Sequence, residues 1–156
     1  MIRLLLLFLV FALPVHAAGG ALSNVATGIS GIYTEQRRIS DHPHHVLMGH
    51  VIVVTRDGTV ARALVIRHRR DGVHRLRFGQ AWAAGHRLPW QRETGPGCTH
   101  GHCRDGPVGM IVLPEALFDR ALRHGLAARL IGPSGAVDIH APASLFRDAA
   151  ARAAGM

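Results

Sequence analysis

Residues 49–67 read GHVIVVTRDGTVARALVIR, and this stretch decides the fold. Two runs rich in Val and Ile flank the pair Asp57-Gly58, which is a strong signal for a two-residue hairpin turn. β-Branched residues fit the pleated surface of a sheet better than the surface of a helix. The stretch therefore predicts two antiparallel strands, residues 49–56 and 59–67, in the middle of a mainly β chain.

A third strand is predicted over residues 73–78, after a turn at Arg70-Asp71-Gly72. Its side chains alternate between the two faces, which is typical of a strand with one buried side. A three-residue loop with Gly72 in the left-handed conformation keeps the buried side apolar, whereas a two-residue loop would set Arg67 against Leu76. We therefore expect three facing pairs: Leu64 with Phe78, Ile66 with Leu76, and His68 with His74.

The other face of this predicted hairpin would be strongly basic. It would set two arginine side chains opposite each other, and facing like charges favour a bound anion nearby. The anion-binding residues predicted from this arrangement are Arg67, Arg69, Arg75 and Arg77.

Beyond this region the chain alternates between strand and helix signals. Residues 79–107 are predicted to be irregular because glycine and proline are frequent there. An apolar strand over 108–113 precedes an amphipathic helix over 114–124. A strand pair over 126–131 and 136–140 then leads to a last helix over 145–154, which Ser144 would cap. The predicted fold class is mainly β: a single-domain antiparallel β-sandwich with two short helices in the C-terminal third.

The start of the chain has the pattern of a secretory signal peptide. Met1-Ile2-Arg3 gives a short positive start, residues 4–13 are an unbroken apolar run, and small residues precede a cleavage position after Ala17. No second apolar run follows, so we expect no transmembrane span and a periplasmic or secreted location. The expected organisation is a signal peptide over 1–17, a flexible N-terminus and loop over 18–45, and a β-rich domain over 46–156.

The composition is basic, with 18 Lys plus Arg residues against 10 Asp plus Glu and a formal net charge of +8. Such a balance favours anionic partners such as lipopolysaccharide, acidic phospholipid or glycans. We do not expect nucleic acid as the partner, and the oligomeric state is left open. An alternative explanation also stays open. Every basic residue is arginine, which is the composition that a GC-rich genome produces.

Two cysteines and twelve histidines carry the remaining chemistry. Cys98 and Cys103 are the two cysteines, and in an exported chain an even number of them indicates a disulfide bond. Thiolate and imidazole are also ligands for zinc or copper, so metal binding is the alternative. The residues of that alternative site, which would hold Cu, Zn or Ni, are His42, His44, His45, His100 and His102.

Signals for catalysis are missing from the sequence. There is no Gly-x-Ser-x-Gly motif around a serine nucleophile, and the few carboxylates are too scattered to indicate a glycosidase pair. Glycine-rich loops of the kind that cradle phosphates are also absent. We therefore expect a protein that is not an enzyme and has no cofactor.

Four stretches of the chain carry a resemblance to a known family: CTHGHC over 98–103, LPEALFDRALRHG over 113–125, LAARLIGPSGAVDIHAP over 126–142 and SLFRDAAARA over 144–153. In their order they resemble the invasion-associated locus B family of exported α-proteobacterial proteins. The resemblance implies a small β-sandwich of the envelope without known catalysis. The chain departs from the family in having His102 before the second cysteine, and in lacking an earlier cysteine pair.

These observations predict an exported, non-enzymatic envelope protein that interacts with protein partners or with anionic partners of the envelope or a host. The alternative is a periplasmic metal-binding protein that uses the clustered histidines.

The disulfide can be tested directly. Mass spectrometry of protein purified from periplasm, without reduction, should show Cys98 linked to Cys103. Because the closed ring is only six residues long, changing both cysteines to serine should lower the free energy of unfolding by about 2 kcal/mol. Free thiols in that preparation would contradict the disulfide and favour the metal site.

Overall fold

The computed structural model describes residues 18–43, 45–68, 76–92 and 106–156, and they form two antiparallel sheets and two α-helices. The larger sheet contains β1 Gly20–Asn24, β2 Ile29–Tyr33, β3 Arg37–Arg38, β4 Leu47–Arg56, β5 Thr59–His68, β8 Trp90–Arg92 and β9 Gly106–Val112. The smaller sheet contains β6 Gln80–Ala83, β7 His86–Arg87, β10 Leu126–Gly132 and β11 Gly135–Ala141. The helices are α1 Glu115–His124 and α2 Ala143–Ala154. The predicted fold class, mainly β and antiparallel with two helices near the C-terminus, is confirmed.

The hairpin of β4 and β5 is the centre of the larger sheet. Arg56 pairs with Thr59 across the turn, and pairing continues to Leu47 and His68 at the far end. Asp57 and Gly58 both have positive φ, 48° and 74°, as a two-residue hairpin turn with the right-handed twist of strands requires. This part of the sequence prediction is confirmed.

The predicted third strand is wrong in its described part. Residues 76–79 are not in a strand, and β5 pairs with β9 instead, so that Leu64 faces Ile111 rather than Phe78. The short segment turns towards the smaller sheet, where the N–H of Gly79 donates to Ile131 O at 2.9 Å. The apolar strand β9 offers β5 a neighbour that is distant in sequence, and local register rules do not reveal such a partner.

The N-terminal segment is also more ordered than the sequence predicts. Residues 18–45 were expected to be flexible, with at most a short strand near 29–34, but β1 and β2 pair with each other and β2 pairs with β4. Gly31 allows this close packing, because a Cβ there would meet the carbonyl oxygen of Val53 and the side chain of Val54. Pairing with the central hairpin stabilises strands that a glycine-rich sequence does not indicate.

Residues 79–107 were predicted to be irregular, and in their described part this is wrong. They contribute three short strands, β6, β7 and β8, and the start of β9. Two- to four-residue strands are too short to produce a visible alternation in sequence, so only their partners in the sheets identify them.

One core joins the two sheets and both helices. Leu64 and Ile111 of the larger sheet, Leu130 of the smaller sheet and Phe146 of α2 are fully buried in the same cluster. The rings of Phe118 and Phe146 meet edge to face, with centroids 6.2 Å apart.

The helices lie close to their predicted positions. However, α2 begins at Ala143 after Pro142 and has no side-chain cap, so the predicted Ser144 cap is wrong.

The larger sheet also buries its second face. Among the described residues, the members of that cluster all lie on strands of the same sheet: Ile29, Tyr33, Ile52, Val54, Ala63, Val65 and Met110, with Leu22, Ala61 and Val112 beside them. The strands β4 and β5 are therefore buried on both sides, which explains their nearly continuous apolar sequence.

The shared core can be tested at Phe146, which is fully buried in the cluster that α2 forms with both sheets. Phe146→Ala should lower the free energy of unfolding by about 3–5 kcal/mol, because it removes a fully buried ring and leaves a cavity. Val25→Ala is the control, since that side chain is 94% exposed and its loss should change stability by less than about 0.5 kcal/mol. Equal effects of the two substitutions in urea denaturation would contradict this core.

Candidate functional site

A groove of about 600 Å³ lies on the outer face of the smaller sheet. Its volume is in the range of sites that hold small organic ligands. Side chains of β10 and β11 form much of its lining, Trp82 of β6 borders it, and the segment around Ile39 and His42 closes one side. We refer to this feature as the small-sheet groove.

Strict alternation along β10 and β11 places these side chains outside. In β10 the buried residues Leu126, Ala128 and Leu130 alternate with exposed ones, and β11 has the same pattern. Successive side chains of a strand point to opposite faces of the sheet. The core therefore holds the inner face in place, and the small side chains Ala127 and Ala136 leave space on the outer face.

Four side chains form a row across the smaller sheet. Arg87 pairs with Trp82, Trp82 with Arg129, and Arg129 with Asp138. Residues directly opposite each other in antiparallel strands share a face, with Cβ atoms about 4.5–5.5 Å apart. The row therefore sets an indole between two guanidinium groups, of which only one has an acidic partner in the described part of the chain.

That acidic partner is Asp138, which binds Arg129 with two hydrogen bonds. Nε and Nη2 of Arg129 donate to the two carboxylate oxygens, each at 2.7 Å. These bonds hold the pKa of Asp138 below its ordinary value and raise that of Arg129. Both side chains are largely exposed, so the pair orients the groups in the groove rather than stabilising the fold.

The indole of Trp82 is also held in place. Its Nε1 donates to Oε1 of Gln80 at 2.8 Å, which restricts rotation of the half-buried ring. At the other end of the groove, the N–H of His140 donates to Ile39 O at 2.6 Å. This bond ties the edge strand β11 to the segment that carries Asp41 and His42.

Three histidine rings gather next to this segment. His42 stacks on His45 with centroids 4.5 Å apart, and His45 meets His68 edge-on at 6.4 Å. Nearly parallel stacked rings do not aim their nitrogen atoms at a common point. Within the described ranges, no three side chains of His, Cys, Asp or Glu are arranged to hold a metal ion. His44, His100 and His102 of the predicted metal site, and His74 of the predicted pair with His68, lie outside the described residues.

The predicted basic face is wrong at its first residue. Arg67 was expected to project away from the core, but it is only 9% exposed and lies on the buried second face of the larger sheet. Arg67 does lie on the face opposite Leu64 and Ile66, but the larger sheet buries that face as well. Arg77 is exposed as predicted, and its N–H donates to Oγ of Ser134. Arg69 and Arg75 lie outside the described residues, as do Cys98 and Cys103.

Beside Arg67, the second face holds a buried histidine. His50 is 4% exposed, and its Nδ1 has no hydrogen-bond partner among the described residues. Burial, together with the positive charge of Arg67, lowers the pKa of His50 from 6.5 to about 4. This side chain is therefore neutral throughout the physiological pH range.

Comparison with protein-family models, with curated proteins and with solved structures gave no match. The resemblance to the invasion-associated locus B family therefore stays a prediction, and the small-sheet groove has to be interpreted from its own residues.

Sequence reasoning missed the row of four residues at this groove, of which Trp82, Arg129 and Asp138 line it and Arg87 lies beside Trp82. The signal for half of it is present, because pairing Gly132 with Gly135 across the predicted turn sets Arg129 opposite Asp138. No comparable signal exists for Trp82 and Arg87, since their strands are short and lie in a segment predicted to be irregular.

The buried histidine predicts a pH dependence of stability. Between pH 6.5 and about 4 the unfolded chain binds more protons at His50 than the folded chain does. The free energy of unfolding should therefore be fully retained above pH 6.5 and fall as pH is lowered towards 4, by about 3 kcal/mol in total.

Urea denaturation at a series of pH values measures this fall. His50→Gln cannot titrate at this position, so subtracting its pH profile from that of the wild-type protein isolates the contribution of His50. Parallel profiles for the two proteins would contradict the buried neutral histidine.

Proposed function

We propose that this chain is an exported, non-enzymatic protein of the cell envelope that binds an anionic envelope component. The leader-like residues 1–17 support export. Within the described ranges, no helix has the length and apolar character needed to cross a membrane. The two antiparallel sheets with two C-terminal helices agree with the architecture that a resemblance to the invasion-associated locus B family implies.

The observation that carries the proposal is a set of exposed arginines that no described carboxylate neutralises. The four ion pairs found among described residues occupy Arg37, Arg56, Arg129 and Arg152. Exposed arginines without such a partner there include Arg77, Arg87, Arg92, Arg120 and Arg123. Uncompensated guanidinium groups attract anions, and they bind carboxylates or phosphates through paired hydrogen bonds.

Binding rather than catalysis is also favoured by the chemistry of the groove. The carboxylate of Asp138 is engaged by Arg129 in two hydrogen bonds. Its lowered pKa makes it a weaker proton acceptor and keeps it ionised. A general acid or base needs a pKa near the working pH, so this group is suited to orienting a ligand.

An experiment with vesicles tests the proposal. Protein purified from periplasm should co-sediment with vesicles of phosphatidylglycerol or with lipopolysaccharide, and much less with vesicles of phosphatidylcholine. Exposed charges are screened by salt, so binding should weaken strongly between about 0.02 M and about 0.5 M salt. Equal binding to neutral vesicles, or binding that salt does not change, would contradict the proposal. Binding only to a purified envelope protein would favour a protein partner instead.

A further inference from the structure

We infer that the small-sheet groove is a binding site for an acidic saccharide, with Trp82 of its lining and the neighbouring Arg87 of β7 as the recognition residues. The inference rests on the proposed function and makes it more specific, because it names the chemical class of the anionic component and the surface that binds it. Its basis is the row Arg87, Trp82, Arg129 and Asp138 across four strands.

The indole of Trp82 is suited to one face of a sugar ring. An aromatic face carries partial negative charge and attracts the positively polarised C–H groups of a ligand lying on it. A pyranose ring offers such C–H groups on its faces and hydroxyls around its rim. The bond from Nε1 of Trp82 to Gln80 fixes the plane of the indole, so that less rotational freedom is lost on binding.

Arg87 supplies the preference for an acidic sugar. It lies opposite Trp82, is exposed, and has no carboxylate partner in the described part of the chain. A sugar stacked on the indole can place a carboxylate or phosphate group over this guanidinium. Bidentate hydrogen bonds between such groups are strong and directional.

Arg129 and Asp138 are suited to the hydroxyl groups on the other side of the indole. Their mutual ion pair leaves donor atoms on the guanidinium and acceptor lone pairs on the carboxylate. Vicinal hydroxyls both donate and accept, so they can engage both partners at once. The same ion pair keeps Arg129 from acting as a full positive charge on the ligand.

The shape of the groove favours a short oligosaccharide over a single ion or a nucleic acid. A volume of about 600 Å³ exceeds what a phosphate ion fills, and Ala127 and Ala136 leave the surface open. Proteins that hold single-stranded nucleic acid stack successive bases on several aromatic side chains. The groove offers one indole among its described residues.

Calorimetric titration of the periplasmic protein with tetragalacturonate, an acidic saccharide, tests the inference. Maltotetraose serves as the neutral saccharide and a short single-stranded DNA as the competing anion. We expect tetragalacturonate to bind at one site, to quench tryptophan fluorescence, and to bind at least about tenfold more tightly than the other two, as charge-assisted hydrogen bonds allow. Equal or tighter binding of the DNA would overturn the saccharide assignment.

Substitutions test the named residues. Arg87→Gln should weaken binding of tetragalacturonate about tenfold, because it removes the charge-assisted bonds. Arg152→Gln is the matched control: it removes an exposed arginine of α2 that already forms an ion pair with Asp148 and should leave the affinity unchanged. Trp82→Leu should abolish the fluorescence response and most of the binding. If thermal unfolding shows that this variant is destabilised, Trp82→Phe replaces it and should retain part of the affinity.

Asp138→Asn tests the same row through an expected gain in affinity instead of a loss. It frees Arg129 from its ion pair, so the affinity for tetragalacturonate should rise several-fold while the affinity for maltotetraose does not rise. A residue with a merely structural role would not produce this gain. Unchanged or weaker binding of the acidic saccharide by a folded Asp138→Asn protein would overturn the assigned geometry.

The vesicle experiment separates failure of this inference from failure of the proposed function. Salt-sensitive binding to phosphatidylglycerol vesicles without binding of tetragalacturonate would overturn the saccharide site and leave the proposed function standing. Equal weakening of saccharide binding by Arg87→Gln and Arg152→Gln would also overturn the saccharide site and leave the proposed function standing. Absence of both activities would overturn both statements.

Discussion

The ten-residue pairing of β4 with β5 is the constraint on which the rest of the structure depends. The turn at Asp57-Gly58 fixes its register, and one face of the hairpin supplies much of the core shared with the helices and the smaller sheet. A shift of one residue would turn one of the two strands over relative to the other. It would move either His50 into the shared core and Val51 out of it, or Arg67 into that core and Leu64 out of it. The apolar partners β2 and β9 then extend the sheet on either side of the fixed hairpin.

The second face of the larger sheet is apolar at its centre and has polar side chains on either side of that centre. A row across four strands runs from Gln91 through Met110 and Val65 to His50. Its two end residues carry buried polar atoms for which no hydrogen-bond partner is found among the described residues. Unpaired buried groups cost stability, and a charge in their place would cost more. The lowered pKa of His50 keeps its side chain uncharged, which avoids that larger cost. The neighbouring Arg67 remains charged.

The sequence predicts the elements that depend on neighbouring residues. The central hairpin, both C-terminal helices and the β10–β11 pair follow from turn residues, helix periodicity and strand alternation within about twenty positions. The partner of β5 could not be found in this way, because Ile111 lies 47 positions after Leu64 and no local rule favours it over Phe78. The error at Arg67 has a different cause: alternation assigns the residue to its face correctly, but it does not reveal that this second face is buried too. For the groove, only Arg129 and Asp138 could be placed from local register.

The groove owes its geometry to the core on the other side of the same strands. Each residue of β10 that faces the groove lies between two that face the core, so Arg129 is held by the packing of Ala128 and Leu130. A site carried by strands is more rigid than one carried by loops, and less order has to be created on binding. The bond from His140 to Ile39 ties the edge of this sheet to the segment that pairs with β4 through Arg37 and Arg38. Through this segment, the central hairpin helps to hold the smaller sheet in place, and Trp82 and Arg87 are paired residues of that sheet.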